Sequence, residues 1–401
     1  RRFVVSFRYG LGQAAASALL ATALGLPGAF LVARRTFAGR RFLLSLGAVP
    51  FAVPPLIIAI GFVLYYGRQG VLNRLLVQVL GLDGPPLTFL YSSWGLVLTH
   101  GLYNFPLVVR FVADAFATVP RQHEDAARLL GASPTGTFMT ITLPSVAPAI
   151  GAAVSLVFLF SFFSFVIVLL FGRPGVSTPE VELYRAARFT FDRPLASAYA
   201  LVETLVAMTA LALYARMATQ SGSAARREAD KRSPTSLRTV PEKVLAAMYV
   251  MTMAVLLGGP LLAIVGESFL VPARAHGLAV PGVSNYLKLF GRPTFWMALV
   301  NTVILGLSSA ALATTTGFAF SVWMKRRAGT ALASILPLLP LGVSGVVLAY
   351  GWQQVTGTGS FLGLVLVQAV STYPFTLRAV ESAVGMADNR YADAEIGRAH
   401  V

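Results

Sequence analysis

Residues 125–144 read DAARLLGASPTGTFMTITLP, a polar stretch between two long apolar runs. The positions that define its pattern are Asp125, Ala126, Ala127, Gly131, Ile141, Leu143 and Pro144. The alanines favour a helix, Gly131 permits a turn where that helix ends, and Pro144 suits the first turn of the next helix. An ordinary amphipathic connector is the alternative, but the complete spacing between two apolar runs favours a dedicated loop.

The composition places the chain in a membrane. Of its 401 residues, 56% are hydrophobic and 12% are charged, and the mean hydropathy is +0.71. Soluble domains carry roughly 25% charged residues, so a polytopic membrane protein is expected. The net charge of +16 then indicates basic cytoplasmic loops rather than a nucleic-acid surface. Because the chain has no cysteine and four scattered histidines, neither a disulfide framework nor a metal site is expected.

Hydropathy predicts about nine membrane spans, each near the ~20 residues that a bilayer requires. They are expected at roughly 10–33, 43–66, 92–117, 147–171, 196–218, 243–268, 295–323, 329–355 and 361–386. If the spans alternate, the basic clusters within 34–41, 216–243 and 325–327 lie on one side, together with the 125–144 loop. The positive-inside rule makes that side cytoplasmic.

An internal repeat relates the two ends of the chain. Residues 95–98 and 363–366 both read GLVL, and the same offset of 268 residues continues without a gap. It pairs Pro106 with Pro374, Arg110 with Arg378, Val112 with Val380, Ala115 with Ala383, and Asp125-Ala126 with Asp393-Ala394. Ala33-Arg34-Arg35 is similar to Lys325-Arg326-Arg327 at a different offset. Such repeats are typical of transporters. The expected domains are 1–218 and 243–394, both transmembrane, joined by a basic cytoplasmic linker at 219–242.

The 125–144 pattern resembles the EAA loop of bacterial ABC importer permeases, with Asp125 in place of the usual glutamate. This resemblance implies an all-α polytopic protein of the bacterial inner membrane. It also implies a tandem repeat of MetI-like transmembrane domains, with about nine spans present of an expected twelve. In that family the loop is a short cytoplasmic helix that docks on an ATPase subunit. The implied coupling residues are Glu124, Asp125, Ala126, Ala127, Gly131, Ile141, Leu143, Pro144, Asp393 and Ala394.

The resemblance also implies the partners. Two ATPase subunits would bind at the cytoplasmic face and carry ATP and magnesium, while a substrate-binding protein would dock at the outer face. Lipid would surround the spans, and the chain itself would bind no cofactor, metal or nucleic acid. The sequence contains neither a G-x-x-x-x-G-K-[ST] phosphate loop nor a G-x-S-x-G nucleophile elbow. The chain is therefore expected to be a permease without enzymatic activity, working by alternating access.

Further motifs are similar to those of the tandem branch that transports thiamine. They are YGRQG at 66–70, LGL at 80–82, NFP at 104–106, GRPG at 172–175, TPEVELY at 178–184 and FDRP at 191–194. The implied substrate is thiamine or its phosphates, and the related ferric-iron permeases supply the alternative. An ion-coupled secondary transporter would need several intramembrane carboxylates, of which the chain offers few. A membrane scaffold without transport would leave the paired loops unexplained.

Two groups of polar residues are candidate sites. On the outer segments 67–91 and 172–195, the charged residues expected to contact a binding protein are Arg68, Glu180, Glu182, Arg185 and Asp192. Such rim charges tune docking rate more than affinity, and a solvated surface is the alternative for each. Within the spans, His100, Asn104 and Glu203 are expected to face a translocation path, because hydrocarbon penalises polar groups. Hydrogen bonding between helices is the alternative.

The second copy of the loop motif ends early. After Asp393-Ala394 the chain reads EIGRAHV at 395–401, which resembles translated sequencing-adapter sequence and is expected to carry no function. A fragment is therefore expected, lacking the first span and the last two, and unable to transport because one loop is incomplete. In the parent gene, residues equivalent to 127–218 should follow Ala394.

Overall fold

The computed structural model describes residues 2–172, 176–226, 234–272, 279–326, 336–356 and 359–398. In these ranges it is predominantly helical, with two short two-stranded pairings. Seven helical segments of the described chain are long and apolar enough to cross a membrane. They are Arg2–Arg34, Pro55–Leu80, Ser93–Ala117, Pro134–Phe162, Arg193–Gln220, Val240–Ser268 and Pro293–Met324. The prediction of an all-α polytopic membrane protein is confirmed.

The chain divides into two compact units, of which the first contains Arg1–Glu203 and Thr209–Val283. Its elements, with α12 running partly through the other unit, are α1 (Arg2–Arg34), β1 (Arg35–Thr36), α2 (Arg40–Leu46), α3 (Val49–Ala52), α4 (Pro55–Tyr66), α5 (Val71–Leu80), α6 (Ser93–Ala117), α7 (Arg121–Leu129), α8 (Pro134–Thr137), a π-helical turn (Phe138–Thr142), α9 (Leu143–Phe162), α10 (Val166–Phe171), α11 (Pro179–Arg188), α12 (Arg193–Arg226), β2 (Thr235–Ser236), α13 (Val240–Met253), a second π-helical turn (Ala254–Gly258), α14 (Gly259–Ser268), β3 (Leu270–Pro272) and β4 (Ala279–Pro281). Strand β1 pairs in parallel with β2, and β3 pairs antiparallel with β4.

The second unit contains Thr204–Met208 and Ser284–Val401. Its elements are α15 (Ser284–Phe290), α16 (Pro293–Arg326), a 3₁₀ helix (Leu336–Gly342), α17 (Gly345–Thr356) and α18 (Phe361–Arg398). Helices α16 and α18 form its main helix pair.

Two predicted spans are interrupted. The segment 43–66 is not one helix but α2, α3 and α4, because Pro50 and Pro55 lie in the first turns of α3 and α4 and cannot donate backbone hydrogen bonds to a preceding turn. The segment 147–171 is also broken, since α9 ends at Phe162 and α10 begins at Val166. The span expected at 329–355 lies partly outside the described residues, and its described part comprises the 3₁₀ helix and α17. The span expected at 361–386 lies within α18.

The core of the first unit forms where α1 packs along α6 and α9. Small residues recur on the buried face of α1 at spacings of three or four, at Ala14, Ala18, Ala21, Gly25 and Ala29. Small side chains let membrane helices approach closely. A Cβ added at Gly25 would lie 2.7 Å from Val108 Cβ and 2.9 Å from the Phe105 carbonyl oxygen. Helix α6 is the most deeply buried of the seven candidate spans.

The second unit repeats this contact. The part of the sequence repeat that pairs Arg34 with Arg326 also pairs Gly25 with Gly317 of α16. A Cβ at Gly317 would lie 2.8 Å from Thr376 Oγ1 and 3.0 Å from the Leu377 amide nitrogen on α18. Prolines also lie inside both partner helices, at Pro106 of α6 and Pro374 of α18. The two halves therefore share a helix pair as well as a sequence pattern.

The packing units do not coincide with the predicted domains. Segments α13 and α14, assigned from sequence to 243–394, pack within the first unit, and α14 packs against α4. The Tyr66 hydroxyl donates to the Leu256 carbonyl at 2.8 Å, and the Tyr249 hydroxyl donates to the Leu24 carbonyl at 2.8 Å. The predicted linker at 219–242 includes the end of α12, and its residues 227–233 lie outside the described residues. The domain boundaries remain a prediction about the repeat.

Candidate functional site

The 120–144 loop begins with helix α7, which starts after Pro120 and ends in a Schellman motif. The Gly131 amide donates to the Arg128 carbonyl and the Ala132 amide donates to the Ala127 carbonyl, each at 3.0 Å. Gly131 has φ +91°, a left-handed conformation that glycine adopts without a Cβ penalty. The helix and its terminating glycine are therefore where the sequence predicts them.

The second part of the loop returns the chain to the bundle. The Ser133 hydroxyl caps α8 by accepting the Gly136 amide at 3.0 Å. A π-helical turn at Phe138–Thr142 follows, and α9 starts at Leu143 with Pro144 in its first turn. This is the position at which proline is favoured in a helix. The loop is continuous with a membrane span, so its movement would be passed directly to α9.

Helix α7 presents most of its surface to solvent. Asp125 and Ala126 are exposed, and the apolar side chains of Leu129 and Leu130 are each 89% exposed. Ala127, Ile141 and Leu143 are half-buried, while Gly131 and Pro144 are exposed. Adjacent, strongly exposed leucines beside a carboxylate form a surface suited to a protein partner.

Glu124 is the buried exception on this helix. Its Oε2 accepts from Arg34 Nη1 at 3.1 Å, its Oε1 accepts from Arg34 Nη2 at 2.5 Å, and Oε1 also accepts from the Thr142 hydroxyl at 2.8 Å. Both charged side chains are only 6% exposed. The ion pair thus joins α7 to the end of α1 and to the turn before α9. In the sequence, Arg34 is only one member of a basic cluster. Nothing beyond the number of arginines in that cluster pointed to its ion pair with Glu124.

The second-loop residues Asp393 and Ala394 lie in a different backbone environment. They fall within α18, which is one continuous helix to Arg398, and the structure describes no side chain there. The first copy breaks at Pro120, whereas the equivalent position in the second copy is Asp388. The absence of that proline accounts for the continuous helix. Their coupling role remains a prediction.

Among the predicted path residues, His100 belongs to a polar chain across the bundle. Its Nδ1 lies 3.1 Å from Gln13 Oε1, and Gln13 Nε2 donates to the Ser161 carbonyl at 2.8 Å. These contacts join α6, α1 and α9. Asn104, one turn further along α6, is also buried. Gln13 also lines a largely apolar cavity of about 490 Å³, together with Arg8, Tyr9 and Trp94. Sequence reasoning missed Gln13, which stands alone among apolar residues.

The third predicted path residue, Glu203, lies beside Glu180. Both are buried, with 0% and 1% exposure. Glu180 was expected on the exposed docking rim, and its burial corrects that prediction. The first turn of α11 packs against α1. The contact is so close that a Cβ added at Gly10 would clash with Pro179 Cδ. This packing withdraws Glu180 from the surface. The structure brings together two carboxylates that the sequence assigned to different sites.

The remaining predicted docking residues lie on segments that the sequence predicts to face outward. Arg68 is exposed and lines a cleft of about 760 Å³ together with Arg74 and Glu267. Glu182 and Arg185 pair with each other at 3.0 Å on α11. Asp192 is exposed and caps α12, because its Oδ1 accepts the Leu195 amide at 3.0 Å. Glu182, Arg185 and Asp192 therefore have local partners, Arg68 is exposed, and the docking role of these residues remains a prediction.

The cleft lined by Arg68 and Arg74 also includes Asn73, which the sequence analysis did not single out. Its Nδ2 donates to the carbonyls of Gly67 and Leu87 at 2.8 Å each, and its Oδ1 accepts the Leu87 amide at 2.9 Å. The side chain is 1% exposed. A single buried amide thus ties the two ends of the 67–87 segment together. Within the described residues no group of three His, Cys, Asp or Glu is placed to hold a metal ion.

Comparison with known proteins agrees with this architecture. Residues 25–225 match the family described as "Binding-protein-dependent transport system inner membrane component". The thiamine transport system permease protein ThiP of Brucella abortus (strain 2308) is 29% identical over 399 residues, covering 96% of this chain and 70% of the relative. ThiP of Escherichia coli (strain K12) is 27% identical over 405 residues, covering 96% and 71%. A candidate 2-aminoethylphosphonate transport system permease of Salmonella typhi, PhnU, is 32% identical over 171 residues, covering 43% and 59%. The chain belongs to the family of inner-membrane components of binding-protein-dependent transport systems, the permeases of ABC importers.

Proposed function

We propose that α7 and the Gly131 turn form the surface through which this permease docks an ATPase subunit. The observation that carries the proposal is the geometry of the loop: a short exposed helix, ended by a left-handed glycine and followed directly by a span. Asp125 and Ala126 leave a polar and sterically open face, and Leu129 with Leu130 supply exposed apolar area. Closure of two ATPase subunits around ATP and magnesium would displace α7 and, through the loop, α9.

The docking surface is tested by Ala126→Arg and Gly131→Pro in the full-length importer. A long charged side chain on the exposed face of α7 would block a close-fitting groove, and proline cannot adopt the positive φ at 131. Both variants are expected to abolish co-purification of the ATPase while the permease still inserts into the membrane. Gly84→Arg is the matched control, because a Cβ there meets no atom within 4 Å and the position lies on an outer segment. Normal ATPase binding by both loop variants would disprove the docking role.

Thiamine or a thiamine phosphate is the proposed solute. Support comes from the two ThiP relatives, whose similarity extends over 96% of the chain rather than over the loop region alone. The shorter match to PhnU, at 32% identity, makes 2-aminoethylphosphonate the competing solute to include. Ferric iron remains the alternative from the sequence motifs.

The solute is tested by uptake in cells that carry the full-length permease with its ATPase and binding protein. Labelled thiamine is expected to accumulate, and neither 2-aminoethylphosphonate nor ferric iron should compete. The isolated binding protein should bind thiamine with the same preference. Uptake of either competitor without thiamine uptake would replace the substrate assignment and leave the permease assignment intact.

A substrate-binding protein is the proposed outer partner, and the cleft containing Arg68 and Arg74 is its proposed contact. Both arginines are exposed, and neither forms an ion pair among the described residues. Asn73 bonds both ends of the 67–87 segment, so the two arginines are carried on a segment that is tied at its base. Acidic side chains of the partner would complement them and increase the rate of association.

A further inference from the structure

Two consecutive arginines at the cytoplasmic end of α1 reach different parts of the molecule. Arg34 pairs with Glu124 on α7, and Arg35 pairs with Glu242 on α13. The first contact is with the candidate docking helix. The second is with the span that, in the sequence repeat, opens the second half. Both contacts lie inside one compact unit.

The Arg34 contact is buried and has several anchors. Two guanidinium nitrogens bond the two Glu124 carboxylate oxygens, and the Thr142 hydroxyl supplies a third bond to Oε1. The guanidinium carbon also lies 5.9 Å from the centre of the Phe30 ring. Separating a buried pair leaves two unpaired charges, which is strongly unfavourable. A displacement of α7 therefore carries the end of α1 with it more readily than it breaks the pair.

The Arg35 contact joins the same end of α1 to the chain that enters α13. Nη1 donates to the Thr235 hydroxyl at 2.8 Å and Nη2 donates to Glu242 Oε1 at 2.7 Å. The backbone reinforces this contact, because Arg35–Thr36 and Thr235–Ser236 pair as strands. Glu242 is held from its other oxygen by the Arg238 amide at 3.2 Å. About a third of each of the Arg35 and Glu242 side chains is exposed, so this contact is weaker than the Arg34 pair.

We propose that Arg34 and Arg35 are positioning residues that link the docking helix to the first span of the second half. This Arg34–Arg35 junction makes α7, the end of α1 and the start of α13 move as one body when an ATPase subunit pulls on α7. The inference rests on the proposed docking role of α7 and adds the route by which motion reaches α13. Neither arginine touches the solute or ATP in this scheme.

The test uses Arg34→Gln and Arg35→Gln in the full-length importer, reconstituted in liposomes with its ATPase and binding protein. Solute transported per ATP hydrolysed is the readout, because a purely structural defect would lower transport and ATP hydrolysis together. The Arg34→Gln variant should lower this ratio several-fold, because it leaves the Glu124 carboxylate buried without its ion-pair partner. The Arg35→Gln variant should lower it less, since its ion pair is partly exposed. Arg41→Gln is the matched control, an exposed arginine of the same cluster with no ion pair among the described residues.

Charge exchange makes the test independent of a folding defect. Arg34→Glu and Glu124→Arg should each lower the ratio, and the double variant should restore most of it, because the pair is rebuilt in reverse. Thr142→Val, which leaves both charges in place, should give a small decrease. A double variant no better than either single variant, or an unchanged ratio in Arg34→Gln, would overturn the proposal. ATPase co-purification is measured in parallel: its loss in Ala126→Arg tests docking, and its retention in Arg34→Gln is required for the junction.

Discussion

At the scale of single residues, buried polar groups decide local geometry. Asn73 is the clearest example, because one buried side chain bonds two carbonyls and one amide at the two ends of the 67–87 segment. An unsatisfied buried polar group costs about 1–3 kcal/mol. The 67–87 segment therefore owes its conformation to a residue that looks unremarkable in an outer loop.

Substitution of Asn73 should loosen the outer cleft. We expect Asn73→Ala to lower the melting temperature of the purified permease and to weaken stimulation of ATP hydrolysis by the binding protein. The physical reason is the loss of three hydrogen bonds, at about 1 kcal/mol each. Thermal unfolding in detergent and stimulated ATPase assays provide the measurements.

Gln78→Ala is the control for this prediction, since Gln78 is an exposed polar residue on the same helix, α5. It should leave both quantities unchanged. Equal melting temperatures for the Asn73 and Gln78 variants would show that the Asn73 hydrogen bonds contribute nothing to the stability of the permease.

At the scale of elements, close helix contact is specified by glycine. Gly25 of α1 and Gly317 of α16 each lie against the partner helix of their own unit. The sequence repeat relates these contacts, although the glycines are too common to attract notice individually. Their position at the α1–α6 and α16–α18 interfaces is visible only in the packed structure.

Adding a methyl group at these contacts should separate the helices. Gly25→Ala places a Cβ within 2.9 Å of the Phe105 carbonyl oxygen, and Gly317→Ala places one 3.0 Å from the Leu377 amide nitrogen. Overpacking costs about 1–3 kcal/mol, which exceeds the ~0.5–1 kcal/mol that alanine gains over glycine in a helix. Both variants should therefore unfold at lower temperature.

The same two helices contain their own controls. A Cβ at Gly12 of α1 or at Gly306 of α16 meets nothing within 4 Å, so alanine at either position should be neutral or stabilising. If Gly25→Ala proved as stable as Gly12→Ala, the close approach of α1 to α6 would have no energetic role.

At the scale of the whole molecule, the basic clusters predict the orientation in the membrane. Arg34, Arg35 and the exposed end of α7 lie at the same end of the first unit, as their contacts show. The segment around Gly84 follows α4 and α5 and is expected at the opposite face. The positive-inside rule makes the arginine end cytoplasmic.

This orientation is open to a clean labelling experiment because the chain contains no cysteine. Gly84→Cys should react with a membrane-impermeant thiol reagent added to spheroplasts. Leu130→Cys should react only in inside-out vesicles, and bound ATPase should protect it. The cysteine-free parent supplies the background. Labelling of Leu130→Cys in intact spheroplasts would reverse the topology and remove the basis for the docking role.

The sequence by itself determined that the protein lies in a lipid bilayer, that its fold is all-α, and where the 125–144 loop lies in the chain. Composition alone requires a bilayer, since 12% charged residues cannot cover a soluble surface of this size. The spacing of Ala126, Gly131 and Pro144 was sufficient for the loop because helix preference, a left-handed turn and a proline start all act within a few residues of the chain. The internal repeat was also visible in the sequence, because finding it requires only that one stretch of the chain be compared with another.

Only the tertiary structure decided which distant residues meet. Arg34 and Glu124 are separated by 90 positions, and Gln13 and His100 by 87. No local preference encodes such pairs, because they depend on which helix faces are turned towards each other after packing. The same holds for the burial of Glu180 beside Glu203 and for the place of α13 and α14 in the first unit. Apolar faces pack against whichever neighbour covers them, and that choice is made by the folded bundle rather than by any single segment.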